Sequence, residues 1–227
     1  MTLTVLLTAS AFFLGSIPTA YLLVWTVKRR DIRALGSGSI SASNVSEVLG
    51  PWATALVGVS DILKGAAPIW AAQELDRSLA QQMTVGLGVL AGHNWSVFMG
   101  FRGGRGLSVV VGVLLAVARL ELLLFVIIAV FGYAFTGSAP IWLGLATALL
   151  PFWSYALGRE AALIWGNGIM VALVVLKRLL GNWDPLPERG KARVLLYRFI
   201  LDRDTRDRRA WVRRGTSGEE PASEPGP

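Results

Sequence analysis

The chain has 227 residues, of which 53% are hydrophobic and only 16% charged, and the charges gather in clusters between long uncharged runs; this excludes the ordinary soluble class, in which roughly a quarter of residues carry charge. The absence of cysteine removes disulfides, thiolate catalysis and thiolate metal sites, and a single histidine, His93, removes multi-histidine metal centres while leaving a Ser-His-Asp arrangement open. The net charge of +7 is assigned to basic residues flanking membrane segments rather than to nucleic-acid binding, because charge is costly in hydrocarbon and positive residues collect on the cytoplasmic side.

A spanning helix needs roughly 20 apolar residues. Residues 3–25 meet this, interrupted by Gly15 and Pro18, breaks that neighbouring helices satisfy in a bilayer. No basic stretch precedes this segment and no small-x-small site closes it, so it reads as a retained helix rather than a signal peptide. Residues 52–72, with Asp61 and Lys64 inside them, and residues 83–98 are the next two helices. The run 107–136 is too long for one crossing and is broken by Arg119-Leu120-Glu121, which predicts two short helices with a tight polar turn. Residues 141–157 and 161–176 complete an all-α polytopic membrane bundle of about seven transmembrane helices. With the N-terminus outside and the C-terminus cytoplasmic, Lys28-Arg29-Arg30, Arg102, Arg105 and the basic tail all fall inside, while Arg77, Arg119 and Arg159 fall outside, each close to an acidic residue. Residues 1–183 thus form a transmembrane domain and 184–227 a cytoplasmic basic tail. Within that tail, residues 193–209 offer Leu195, Leu196, Phe199 and Ile200 to one face and read either as an interfacial helix or as a solvated segment, and residues 216–227 are expected to be disordered. No internal repeat is visible.

Polar segments punctuate this pattern. The run Asp31-Ile32-Arg33-Ala34-Leu35-Gly36-Ser37-Gly38-Ser39-Ile40-Ser41-Ala42-Ser43-Asn44 has glycines that let successive N–H groups converge on an anion, and hydroxyl and amide donors beside them. Asn44 or Ser43 is suited to cap a helix beginning near Val45. Taken alone, a Gly/Ser loop is more often a flexible connector. In the second segment, Gly92-His93-Asn94-Trp95-Ser96 is followed by Phe101-Arg102-Gly103-Gly104-Arg105-Gly106-Leu107-Ser108, which sets two arginines among glycines just before a helix start. Guanidinium forks and a helix N-terminus both suit phosphate, although a positive-inside anchor with a turn is the plainer reading. Asp61 and Lys64 stand at i, i+3 and can pair on one face; an ion pair within a membrane helix is either functional or structural. His93 is a candidate acid or base, with a hydrogen-bonded structural imidazole as the plainer role.

Together these segments resemble the bacterial acyl-phosphate-dependent glycerol-3-phosphate acyltransferase family. The matching stretches are Gly15-Ser16-Ile17-Pro18 with Tyr21; Asp31-Ile32-Arg33 leading to Gly36-Ser37-Gly38, Ala42 and Asn44-Val45; Asp61 with Lys64-Gly65 and Pro68; and Gly92-His93 with Ser96-Val97-Phe98 and Phe101 through Gly106. The resemblance implies a multi-pass enzyme of the bacterial inner membrane, its active-site loops cytoplasmic, without metal, coenzyme A or other cofactor. It would move an acyl group from acyl phosphate to the 1-hydroxyl of glycerol 3-phosphate, forming lysophosphatidic acid for phospholipid biosynthesis. By the same resemblance Ser37 and Arg105 belong to the catalytic centre, and Gly36, Gly38, Ser39, Asn44, Lys64, His93, Arg102, Gly103, Gly104, Gly106 and Ser138 to substrate binding. The proton acceptor would be a substrate phosphate.

The chain departs from the family pattern in places. Ser39, Ser41 and Ser43 stand where the first motif has Asn, Gly and Thr; Glu47 stands for an arginine; and Arg102 and Arg105 stand for lysines, keeping charge but not reach. Of the third motif, Arg178-Leu179 and Gly181 remain, while Ala172, Val175 and Trp183 replace His, Asn and Glu. Two other readings therefore stand beside the enzyme: a catalytically impaired member that binds phosphorylated lipid or partners the active enzyme, and a small-solute transporter working through Asp61 and Lys64.

Overall fold

In the computed structural model, which describes residues 1–213, every long apolar run is helical and no strand forms among the described residues. Pro18 divides the first run: it lacks an N–H and forces extended backbone on Ile17, so α1 covers Thr2–Ser16 and α2 Thr19–Lys28. A short helix, α3 (Ala42–Leu49), precedes α4 (Pro51–Glu74), whose Pro51 sits in the first turn, where its missing donor costs nothing. α5 runs Leu79–Asn94 and is opened by a capping box between Ser78 and Gln81. The run expected to break at its charged triplet breaks one residue earlier, at Ala118, giving α6 (Leu107–Val117) and α7 (Arg119–Thr136), so that the triplet is not a polar turn but the first turn of α7.

The single helix expected over 141–157 is two, α8 (Ala139–Ala148) and α9 (Leu150–Ala156), because Pro151 cannot donate to the preceding turn. α10 covers Ala161–Leu180, α11 Lys191–Leu201 and α12 Arg208–Arg213. Among the described residues four spans are long and apolar enough to cross a membrane, namely Thr2–Lys28, Pro51–Glu74, Arg119–Thr136 and Ala161–Leu180. The expectation of about seven crossings rests on three shorter segments besides these: α5, α6 and the α8–α9 rod.

Glycines set the tightest contacts. Gly88 and Gly92, a turn apart on α5, lie against Thr8 and Phe12 of α1, and a methyl group at Gly92 would overlap the Phe12 carbonyl. Gly65 of α4 and Gly112 of α6 meet in the same way. Such close backbone approach is how helices gain dispersion energy where lipid removes the hydrophobic drive. The bundle core is built from Val85, Val89, Leu90, Val110, Val113, Leu114 and Met170, all fully buried. Phe131, Phe135, Tyr155 and Trp165 stay exposed on the outer surface, an apolar coat suited to hydrocarbon.

Charges buried within the helices are held by hydrogen bonds, two of them in ion pairs across or within elements. Lys64 Nζ lies 3.1 Å from Asp61 Oδ1, donates to the Ile17 carbonyl at 2.7 Å and also reaches Thr19 Oγ1, which engages all the donors of an ammonium. Glu121, fully buried, accepts from Arg159 Nε at 2.8 Å and ties α7 to the end of α9.

The C-terminal segment is not a tail standing apart from the bundle. α11 packs on α10 and α8. Its buried Arg198 donates to the Leu179 carbonyl at 3.1 Å and the Asp184 carbonyl at 3.0 Å, and pairs with Asp204 at 2.6 Å. Leu196, Phe199 and Ile200 remain exposed, so a polar residue, not the apolar stripe, leads the inner face. Residues 216–227, expected to be disordered, lie outside the described residues.

Candidate active site

The first polar segment is built around one side chain. Asp31 starts a short 3₁₀ turn (Ile32–Ala34) by accepting from Arg33 N at 2.8 Å, and the Arg33 guanidinium beside it holds its carboxyl below the usual range. Ile32, fully buried, anchors this turn. Gly36 (φ 55°) and Gly38 (φ 69°) then take left-handed backbone, which folds the chain over Asn44. Asn44 Oδ1 accepts from Ser37 N at 2.8 Å, and its Nδ2 donates to the carbonyls of Leu35 and Ser39 at 3.0 Å each. A side chain at Gly36 would collide with Asn44 Oδ1. α3 is therefore capped not by Asn44 or Ser43 but by Ser41, whose hydroxyl accepts from Asn44 N at 3.4 Å. Ser39, Ser41 and Ser43 run as a chain of hydroxyls with 3.0 Å between neighbours.

The second segment wraps the end of α5. Gly104 N donates to the His93 carbonyl and Gly103 N to Asn182 Oδ1, both at 3.1 Å, and a Cβ on either glycine would strike His93. These amides are engaged within the protein, so Gly103 and Gly104 shape the loop that carries Arg102 and Arg105. Gly106 (φ 77°) turns the chain into the N-terminus of α6.

Two cavities meet at Ser37. The larger, about 520 Å³, is lined on its polar side by Ser37, Asn44, His93, Arg105, Ser138 and Arg178, with the α6 N-terminus at Gly106, and on its apolar side by Leu107, Tyr133 and Leu143. The smaller, about 310 Å³, is lined by Arg33, Ser37, Gly38, Ile40, Arg102, Asn182 and Asp184. Cationic groups thus stand over both, in one case beside a greasy wall. Near the larger cavity Arg105 Nη1 donates to the Lys177 carbonyl at 3.2 Å and Nε lies 3.1 Å from Asp202 Oδ1. Burial pushes the Asp202 carboxyl up, against the pull of Arg105, Arg178 and Lys177 around it.

A family model described as Glycerol-3-phosphate acyltransferase matches residues 5–184. Glycerol-3-phosphate acyltransferase 5 of Dehalococcoides mccartyi is 34% identical over 224 residues, 95% of each chain, and the Geobacter sulfurreducens glycerol-3-phosphate acyltransferase is 36% identical over 188 residues, 81% of this chain and 93% of its own. The chain belongs to the glycerol-3-phosphate acyltransferase family. Among solved structures, PlsY (YgiH), an integral membrane glycerol 3-phosphate acyltransferase in its glycerol 3-phosphate form, superposes with a TM-score of 0.72 at 26% identity, covering 77% of this chain and 88% of that one. Like that integral membrane acyltransferase, this chain is a membrane protein, and its described residues form helices without strands.

Within this acyltransferase fold Ser37 and Arg105 share a cavity, and Asn44, His93, Gly106 and Ser138 line it with them. Arg102 and Gly38 line the smaller cavity instead. Gly36 and Ser39 brace the loop behind Ser37, and Lys64 lines neither cavity, its ammonium being held by Asp61, Thr19 and Ile17. Arg178 and Asn182 enter the cavity walls without having been singled out from the sequence as site residues. Lys177-Arg178 closing an apolar helix just before Gly181-Asn182 is the sequence signal that would have found them.

Proposed function

We propose that the protein is a glycerol-3-phosphate acyltransferase using acyl phosphate as donor, and that Ser37 stands between the two substrates. The observation that carries this reading is that Ser37 lines both cavities, one part-apolar and one polar, each with its own set of arginines. An acyl phosphate suits the larger, its phosphate against Arg105, Arg178 and the α6 N-terminus, its chain along Leu107 and Leu143 towards lipid. Glycerol 3-phosphate suits the smaller, its phosphate between Arg33 and Arg102. The 1-hydroxyl attacks the acyl carbonyl carbon; the new ester bond forms as the bond from that carbon to the phosphate oxygen breaks. Inorganic phosphate leaves, and the hydroxyl proton passes to a phosphate oxygen. The donor is already activated, so the protein's work is placement and charge stabilisation, with the Ser37 hydroxyl directed at the developing charge.

The setting is a bacterial inner membrane, with the N-terminus outside and both cavities at the cytoplasmic face; the distribution of Lys28, Arg29, Arg30, Arg102 and Arg105 supports this orientation. One observation favours a binding-only member: the carboxylates of Glu47 and Asp202 line the larger cavity, where they oppose a phosphate. Purified full-length protein, a long-chain acyl phosphate and labelled glycerol 3-phosphate decide between the two. Lysophosphatidic acid and inorganic phosphate should appear together, and transfer should fall by about 100-fold or more in Ser37→Ala and Arg105→Ala. Acyl phosphate binding without turnover would establish the binding-only reading.

A further inference from the structure

The family model ends at residue 184, yet the wall of the larger cavity continues to Val212. The added segment is firmly seated. Arg198 is buried and bonded to two carbonyls of the preceding chain, and Arg178 Nη1 donates to the Phe199 carbonyl at 3.0 Å. At the end of α11, Asp202 takes left-handed backbone (φ 55°, ψ 36°), which Asp tolerates better than most side chains. Its side chain, 18% exposed, meets Arg105.

Arg105 is thereby held by one hydrogen bond and one ion-pair contact. Nε faces Asp202 at 3.1 Å and Nη1 faces the Lys177 carbonyl at 3.2 Å. A guanidinium hydrogen-bonded at Nη1 and held against a carboxylate at Nε is confined to a small region, which leaves its remaining N–H groups as donors for an anion in the cavity that Arg105 lines. A lone arginine on a loop would sample many rotamers, and ordering it on substrate binding would cost affinity.

We propose that Asp202, contributed by the C-terminal segment beyond the residues that the family model matches, is a positioning residue for Arg105: its carboxylate holds the guanidinium where it grips the donor phosphate. The proposal rests on the acyltransferase reading. The negative charge it brings to an anion pocket is offset by Arg105, Arg178 and Lys177, all of which act on it.

Asp202→Asn is the direct test, since Asn keeps the size, accepts the same backbone and removes only the charge. With full-length protein, palmitoyl phosphate and labelled glycerol 3-phosphate, kcat/KM for the acyl phosphate should fall about 10-fold, with an unchanged melting curve. Arg105→Ala should lose more. The double variant Arg105→Ala/Asp202→Asn should match Arg105→Ala alone, because a residue acting through Arg105 then has nothing to act on. Losses that multiply in the double variant would make Asp202 a mere anchor of α11 and overturn the proposal. So would Asp202→Asn turnover within about twofold of the unaltered chain, or faster turnover, the mark of a carboxylate that competes with phosphate. Should Asp202→Asn fail to fold, Asp202→Glu keeps the charge but displaces it by a methylene: an approximately threefold loss is expected, and no loss would overturn the idea. An unaltered chain without turnover sinks the acyltransferase reading together with this one; turnover indifferent to Asp202 sinks this one alone.

Discussion

Asn44 shows how much of a site can depend on one amide. It is 1% exposed, and both ends of its side chain are engaged by the loop that carries Ser37. Alanine there would strip the Asn44 partner from the Ser37 N–H and from the carbonyls of Leu35 and Ser39, of which the Leu35 carbonyl keeps the Gly38 N–H at 2.9 Å. Each buried group left unsatisfied costs about 1–3 kcal/mol, although water admitted to the gap recovers part of this. Asn44→Ala is therefore expected to destabilise the protein by about 2–4 kcal/mol and to reduce acyl transfer far more than that loss of fold explains, because the Ser37 backbone is released. Thermal unfolding beside turnover checks this: equal melting points, or turnover falling only in step with folding, would show that Asn44 does not hold Ser37 in place. The polar, glycine-bearing character of this loop is plain from its residues, but its hub is not. The run Ser41-Ala42-Ser43-Asn44 offers several adjacent capping residues, and capping preference alone does not separate them. Ser41 takes the cap, which frees Asn44 to turn inward.

At the level of elements, charge-free runs locate the long helices well because the cost of charge in hydrocarbon is large, and Pro18 and the Arg119-Leu120-Glu121 triplet mark breaks that form close to where they are expected. α8 and α9 escape this reasoning because apolar composition continues through Pro151 while the hydrogen-bond ladder does not. α11 escapes it for a different reason: its inner face is led by Arg198, whose burial depends on carbonyls from Leu179 and Asp184 that periodicity cannot foresee. The packing of α1 on α5 is also hidden in an apolar run, since glycines within a membrane segment carry no directional signal of their own. The structure gives that packing a sharp test. With the Phe12 carbonyl against Gly92, a leucine there must separate the helices, and α5 carries His93 in the next position. Overpacking of this kind costs about 1–3 kcal/mol or more, and displacement of His93 and the loop beyond it should lower activity as well. Gly92→Leu should therefore melt early and turn over poorly, whereas Gly168→Leu, at a site open on α10, should leave both unchanged. Equal melting of the two variants would refute close α1–α5 contact.

For the whole molecule, the cavities are useful only if both open to the compartment that supplies water-soluble glycerol 3-phosphate and the tail end of the larger one reaches lipid. The basic residues bias the orientation through the cytoplasmic excess of positive charge, and the ion-paired Arg159, bonded to Glu121, contributes little to that bias because its charge is cancelled locally. In the proposed orientation the N-terminus is outside, and seven crossings would put the end of α4 and the segment after α10 on opposite faces. A chain without cysteine allows this to be read directly. Glu74→Cys at the exposed end of α4 and Glu188→Cys in the exposed segment before α11 each introduce a single thiol at a position that no described ion pair uses. In spheroplasts, a membrane-impermeant maleimide should label Glu74→Cys at once and Glu188→Cys only after lysis. The opposite pattern would turn the molecule over, placing Arg102, Arg105 and the substrate cavities on the outer face. Labelling of both positions before lysis would mean an even number of crossings between them, and the α5, α6 and α8–α9 segments would then have to be reassigned, since an odd number of passages separates these two sites when each of those shorter segments crosses.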